Sequence, residues 1–436
     1  MVGRLLFVLC VVALPLSLYL SFVLTGPLAW LAGLLYILYD TVLLAFVARR
    51  ILRVLREPPT AKPARRISLA VLVAARNEAD GILPCLRALR AQTEPADSVL
   101  VVDDGSTDAT AAIARAEGFA VFSKAHSGKA DSLNQAWPGL GEDIVVTLDA
   151  DTVLAPDALG AIRDAFGADP ELAAAGGVLT PTCAGRGWRA RLFQGFQRFE
   201  YIRAFLSRRA WMSSDALVLV SGAFGAYRRS ALAEAGGYDT TSLVEDYDLV
   251  HRIHRYAFEH GVRRRVGVLI AARATTDSPS GVRAFLRQRQ RWFAGFLQTH
   301  FHCWDMVGNP RYGNVGKLML PIKSLDTLQP LFGLLALFTL ICMLVVHVHL
   351  HPLVIAVLVA KLTLDLGFHF WSLALYARWS GTTVSLGDWA RAALASIFEP
   401  FTFQPLRHLG ATLGWILLVR REHEWTRAAP AITPRG

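Results

Sequence analysis

Charge is scarce in this 436-residue chain: Asp, Glu, Lys and Arg make up 18% of it, against roughly 25% in a typical soluble domain. Cysteine is scarce as well. The five, Cys10, Cys85, Cys183, Cys303 and Cys342, are scattered, with no C-x-x-C pair and no zinc-ligand spacing. That excludes a disulfide framework and a cysteine zinc centre, and leaves the thiols as small buried hydrophobes. No nucleic-acid module accompanies the net charge of +10. Many arginines instead flank apolar runs, the placement expected where a chain meets anionic lipid. Nucleic acid is therefore not an expected partner.

Apolar residues are abundant, at 53% of the chain with a mean hydropathy of +0.36, and they gather at its two ends. Residues 5–24 and 27–48 are each long enough to cross a hydrocarbon core of about 30 Å. Only Thr25-Gly26 separates them, so they read as a helical hairpin. A cleaved signal peptide is the competing reading of the first run; its length and the span that follows at once oppose that. Arg49, Arg50, Arg53, Arg56, Lys62, Arg65 and Arg66 come next and are expected to stay cytoplasmic. Pro58, Pro59 and Pro63 mark a linker there. Near the other end, residues 328–346 and 352–376 read as spans. Residues 389–419 are apolar but broken by Pro400 and Pro405, and read as one span plus a re-entrant or interfacial piece. Arg420, Arg421 and Arg427 in the tail favour the cytoplasm, which conflicts with an odd number of C-terminal spans.

Between the ends, ISLAVLVAA, DSVLVVDD, AVFS and DIVVTLDAD read as buried strands, with helical stretches ILPCLRALRAQ and DATAAIARAEG between them. Such alternation predicts an α/β domain on a parallel sheet. Ligands in such sheets bind beyond the carboxyl ends of the strands, where this chain carries acids. Val101 to Asp108 (VVDDGSTD) closes a strand and opens a helix. Asp103 or Asp104 can accept hydrogen bonds from a base or ribose, or the segment is simply a strand, a turn and a cap, with Gly105 turning the chain and Ser106 or Asp108 capping. Asp149-Ala150-Asp151 ends another strand. Alternation puts the two carboxylates on one side, where their repulsion is relieved by a divalent cation; oxygen ligands favour Mg²⁺ or Mn²⁺. Lys129 stands at the mouth of a helix, able to neutralise a diphosphate or to remain solvated. Glu245-Asp246 precedes a helical stretch, either as a general base for a hydroxyl or as a charge pair at a helix N-terminus. Gln288-Arg289-Gln290-Arg291-Trp292 offers a guanidinium for a diphosphate and a flat ring for a sugar. A basic amphipathic helix at the membrane surface is the other account.

Taken together and in order, these motifs resemble the membrane-bound family-2 glycosyltransferases, above all the processive β-polysaccharide synthases of the poly-N-acetylglucosamine, hyaluronan, chitin and cellulose types. The resemblance covers residues 67–300; the flanking spans match only in arrangement. It implies a GT-A (Rossmann-like) cytoplasmic catalytic domain inserted between N- and C-terminal transmembrane helices of a multi-pass plasma (inner) membrane protein. It also implies an inverting displacement with a UDP-sugar donor. By that likeness Ala75, Arg76, Asn77 and Glu78 meet the base, and Asp104, with Asp103, meets the uridine. Lys129 and Asp149 face the diphosphate, and Asp151 with Asp149 holds the metal. Asp246, beside Glu245, is the base of a T-E-D motif in which Val244 replaces the Thr. Gln288, Arg291 and Trp292 match Q-x-x-R-W, and the run from Ser221 to Arg228, including Gly222 and Phe224, matches an acceptor loop. The implied partners are a glycan or lipid acceptor, membrane lipids and accessory export subunits. A lipid acceptor taking one sugar is the alternative to chain extension.

The expected organisation is a transmembrane hairpin over 1–50, a basic linker over 51–66 and a catalytic domain over 67–282. Interfacial helices over 283–327, a C-terminal transmembrane region over 328–420 and a tail over 421–436 complete it. Within the fourth span Lys361, Asp365 and His369 share one helix face. They line a glycan path with Glu399 and Trp371, or Lys361 and Asp365 are paired as structural glue.

Overall fold

The computed structural model describes residues 2–24, 26–55, 66–183, 187–345 and 351–425. Most of the expected linker, and the tail beyond 425, lie outside these. Two long apolar helices come first, α1 (Val2–Val23) and α2 (Leu31–Val54). The middle of the chain then alternates: β1 (Leu69–Ala75), α3 (Ile82–Arg90), β2 (Ser98–Asp103), α4 (Thr110–Ala116), β3 (Ala120–Ser123), α5 (Lys129–Ala136) and β4 (Ile144–Asp149). After it come β5 (Val153–Leu154), α6 (Ala158–Ala168), β6 (Leu172–Cys183), α7 (Trp188–Met212), β7 (Phe224–Arg228), α8 (Arg229–Glu234), α9 (Glu245–Glu259) and β8 (Arg265–Ser278). The C-terminal part is helical: α10 (Val282–His302), α11 (Leu320–Val345), α12 (Pro352–Ser380), α13 (Leu386–Phe398) and α14 (Phe403–Trp425).

The strands form one sheet in the order β3-β2-β1-β4-β7-β6-β8-β5. The first four are parallel, as their helical crossovers require. β7 then runs antiparallel between β4 and β6, and β5 antiparallel to β8. The sheet is therefore mixed, not parallel throughout as alternation alone suggests. The order reverses at β1, and the carboxyl ends of β1, β2 and β4 open on one edge, where a doubly wound sheet leaves its crevice. β1 and β4 are almost wholly buried, which is why they read as continuous apolar runs rather than alternating ones.

Helix α7 lies against β6, β8, α2 and α12, and α10 packs along α14. These two helices join the sheet to the apolar bundle. Among the described residues, four helical stretches are long and apolar enough to cross a membrane: Gly3–Val23, Pro27–Val54, Val315–Val345 and Pro352–Ser380. The stretch over 389–419 is not among them; it folds as α13, a tight turn over Glu399–Phe401 and α14. Pro400 and the ion pairs around Glu399 break it.

Buried ions hold this junction together. Glu399 pairs with Arg203, lies 3.5 Å from His369 and 3.8 Å from Arg407. Arg407 also reaches Glu200 at 3.6 Å, and Glu200 receives Arg289 at 2.8 Å. Lys361 is paired with Asp365 and with Asp40 at 2.8 Å. The expected common face is thus divided. Lys361 and Asp365 face a cavity, whereas His369 and Glu399 are sealed in the ion cluster and Trp371 packs on Phe368.

Candidate active site

The carboxyl ends of β4 and β8, the loop before β7, the start of α9 and the inner faces of α7 and α10 enclose a cavity of about 450 Å³. Its lining brings together Lys129, Asp149, Asp151, Gly222, Glu245, Asp246, Gln288, Arg291 and Trp292, residues spread over 164 positions of sequence (292 − 129 + 1).

Asp246 sits in the first turn of α9 and is half-buried. It accepts hydrogen bonds from the Gly222 N–H and, at 2.8 Å, from the Tyr247 N–H. Burial pushes its carboxyl up to about 6, the neighbouring Glu245 charge adds to the rise, and Lys129 and the two N–H donors oppose it. The same side chain thus stands at a helix N-terminus and carries a carboxyl raised toward neutrality. Gly222 must be glycine: a Cβ there would lie 2.9 Å from Asp246 Oδ2. Lys129, first residue of α5, contacts Asp149, donates to the Gly222 carbonyl at 3.1 Å and lies 3.6 Å from Glu245. One ammonium thus joins the two acidic motifs. Its pKa is raised despite burial, because Asp149 and Glu245 surround it.

Asp151 accepts from Thr152 Oγ1 and Thr276 Oγ1, each at 3.2 Å. Burial raises its pKa, and the charges of Asp149 and Asp277 push the same way. Glu78 is raised too, by burial and then by Asp151, Asp149 and Asp277. Carboxylates that repel each other in this way suit a divalent cation. Among the described residues no three His, Cys, Asp or Glu side chains are arranged to hold a metal by themselves. That fits Mg²⁺ or Mn²⁺, which take one or two carboxylates and complete their shell with water and phosphate.

The base-binding expectations fall on a separate patch at the ends of β1 and β2, outside this cavity's lining. Asn77 has φ +52° and accepts from the Thr107 N–H at 2.8 Å, tying the 76–78 turn to the loop after β2. Ala75 is buried, with its carbonyl accepting the Asp104 N–H at 3.0 Å, so Arg76, exposed, is the side chain of this turn open to a ligand. Asp104 has no free lone pair to spare: it accepts from Lys124 Nζ (3.0 Å), Ser127 N (2.9 Å) and Gly128 N (2.9 Å), and meets His126 Nδ1 at 2.7 Å. Burial alone would raise its pKa, but these bonds hold it well below the usual carboxylate range. Its work is to fix the 124–128 loop that leads into Lys129. Asp103 is likewise buried and accepts from the Ser106 N–H at 3.1 Å.

Phe224 is a correction. It is fully buried at the start of β7, opposite Leu148, and takes no part in the cavity wall. The loop before β7 lines the cavity with Ser221, Gly222 and Ala223 instead. Val244 is explained by packing. It is buried against Gly295 of α10, with both its methyl groups beside that glycine. Glu200, Tyr201, Arg208 and Asp277, to which the sequence does not point, also line the cavity, as does Arg289, which the sequence offers only as part of a basic helix face. Arg289 lies over Trp292, 4.6 Å from its centroid, while bonded to Glu200. Asp277 near the end of β8 was open to the strand-end argument that found Asp151; β8 itself was not foreseen.

Paired carboxylates at a strand end, a lysine between them and a half-buried acid, and a mixed sheet that opens at β1 define a GT-A-type domain. The comparisons agree. Residues 70–236 match the model of glycosyl transferase family 2, so this segment is a family-2 glycosyltransferase domain. Over 238 residues the chain is 26% identical to the poly-beta-1,6-N-acetyl-D-glucosamine synthase of Staphylococcus epidermidis, covering 52% of this chain and 54% of that one. Over 272 residues it is 25% identical to the synthase of the same name from Staphylococcus aureus (strain MSSA476), covering 61% of each. The match thus spans between half and two thirds of these relatives. In fold, the chain is similar to the mannosyltransferase PcManGT from Pyrobaculum calidifontis, solved with GDP-Man and Mn²⁺. The TM-score is 0.56 at 22% identity, over 85% of this chain and 99% of that one.

Proposed function

We propose that this chain is an inverting hexosyltransferase that uses a UDP-sugar to extend a β-linked glycan at the cytoplasmic face of the membrane, coupled to export. The observation that carries the reading is a half-buried Asp246, its carboxyl raised to about 6 by desolvation, in one cavity with Asp149, Asp151 and Lys129. A carboxylate in that range is ionised at neutral pH yet basic enough to take a proton. The acceptor hydroxyl gives its proton to Asp246 as its oxygen bonds to the anomeric carbon. The bond from that carbon to the diphosphate oxygen breaks, and the diphosphate leaves with the electron pair. Attack from the face opposite the leaving group inverts the centre. Asp151 and Asp149 would hold Mg²⁺ or Mn²⁺, which supplies counter-charge to the diphosphate. Lys129 and Arg291 add fixed positive charge on the same side. Trp292, held by Arg289, offers its face to the acceptor ring. Gln288, whose buried Oε1 lacks a protein partner, is free to accept from a sugar hydroxyl.

Four crossings return the chain to the face it started from. That count supports a topology with the basic end of α2, the catalytic domain and Arg420 on one side of the membrane. Purified protein given a panel of UDP-sugars with Mn²⁺ tests the reading. Elongated β-linked product, lost on adding EDTA and regained with Mn²⁺, is the expected result. Absence of turnover with every donor would refute it.

A further inference from the structure

Three cavities lie in series from the catalytic centre into the helical bundle. The catalytic cavity shares Glu200, Arg289, Trp292 and Phe296 with a second one of about 210 Å³, which shares His408 with a third of about 350 Å³. Their chemistry changes along the way. The second mixes aromatic faces, Trp292 and Phe296, with polar and charged groups, Gln329, Arg407 and Glu200. Such a mixture suits sugar rings and their hydroxyls. The third lies between α2, α11, α12 and the start of α14, the first three of which fall within candidate membrane spans. Its wall is largely aliphatic, with Ile37, Leu337, Leu340, Ile355, Leu358 and Val359.

The polar groups that the third cavity does carry are already partnered. Tyr36 Oη lies 3.1 Å from His408 Nε2 and accepts from Gln404, and Lys361 is neutralised by Asp365 and Asp40. A glycan passing here would bring hydroxyls to a wall with few free groups to receive them, at a cost for each one left unpaired. A hydrocarbon tail would lose nothing there, because the wall is as apolar as the bilayer core it comes from.

Resting on the transfer reading above, we propose that the first acceptor, onto which the glycan is built, is an amphiphile. Its sugar headgroup reaches Trp292 and Asp246 through the second cavity, and its aliphatic tail occupies the third. The succession of polar, mixed and apolar cavities matches such a molecule, and neighbouring cavities share lining residues.

The test uses the full chain in nanodiscs, with methyl, octyl and dodecyl β-glycosides of N-acetylglucosamine as acceptors and chitobiose beside them. KM is expected to fall about tenfold or more from the methyl to the dodecyl glycoside. Leu337→Trp and, separately, Ile355→Trp fill the third cavity and should flatten that dependence, leaving transfer to the methyl glycoside unchanged. The unchanged transfer reports a folded enzyme. A KM independent of tail length, a length dependence that survives both substitutions, or a KM that falls with an added sugar unit but not with added methylenes would overturn the inference. Donor hydrolysis or transfer to the methyl glycoside with no tail effect refutes only the amphiphile. No donor turnover at all refutes the transfer reading and this one with it.

Discussion

Asp246 concentrates the chemistry, and its surroundings make its behaviour with pH specific. As the base it must be ionised, so kcat/KM should fall about tenfold per pH unit below pH 6. Asp246→Asn should nearly abolish transfer while UDP binding, followed by calorimetry, persists. The same residue costs stability. Its folded pKa, about 6, lies above the unfolded value of about 3.9. The native state therefore holds the proton more tightly, and that contribution, full below the unfolded value, is lost as pH rises through 6. Asp246→Asn should accordingly raise Tm at pH 8, with the gain over wild type vanishing near pH 4. Equal Tm shifts at both pH values would deny the desolvated, charged state assigned to Asp246. The local sequence showed an acid pair before a helix. Only the approach of Gly222 and Lys129 from other elements gave Asp246 its environment.

At the scale of elements, the close seat of α10 on the turn before α9 decides where Asp246 points. Gly295 leaves room for Val244; a Cβ there would enter the van der Waals space of both Val244 methyl groups. Gly295→Ala should cost about 1–3 kcal/mol by overpacking. It should also lower kcat more than it raises the donor KM, since the displaced turn carries the base and leaves the β4 carboxylates in place. Thermal unfolding and steady-state kinetics together check this. Helix α7 matters in a similar way. Glu200, Tyr201, Ala204, Phe205 and Arg208 fall on one of its faces and form a cavity wall, with the Glu200–Arg289 pair beneath Trp292. A period of that kind is visible in sequence, but nothing local says which partner the face will meet.

At the scale of the whole molecule, the catalytic domain and the apolar bundle are joined by buried charge. Glu399 is sealed with Arg203, and removing one partner leaves the other uncompensated. Glu399→Gln should destabilise the protein by about 3–5 kcal/mol, measured by unfolding in detergent. Pairing it with Arg203→Met should recover part of the loss, because the second change removes the stranded charge.

What the sequence determined by itself is what local physics controls. Apolar runs of membrane length, the first four strands, and acids at the ends of β2 and β4 follow from side-chain pattern and chain direction, so Asp149, Asp151 and Lys129 could be found where they are. The tertiary structure decided the rest. It reversed β7 and β5 in the sheet, and it buried Phe224 while leaving its neighbour Gly222 in the cavity. It used up Asp104 on a loop, and it turned the apolar stretch over 389–419 into two helices around an ion cluster. Each of these depends on which distant surfaces come together, and burial, pairing and charge are properties of those contacts rather than of any one stretch of chain.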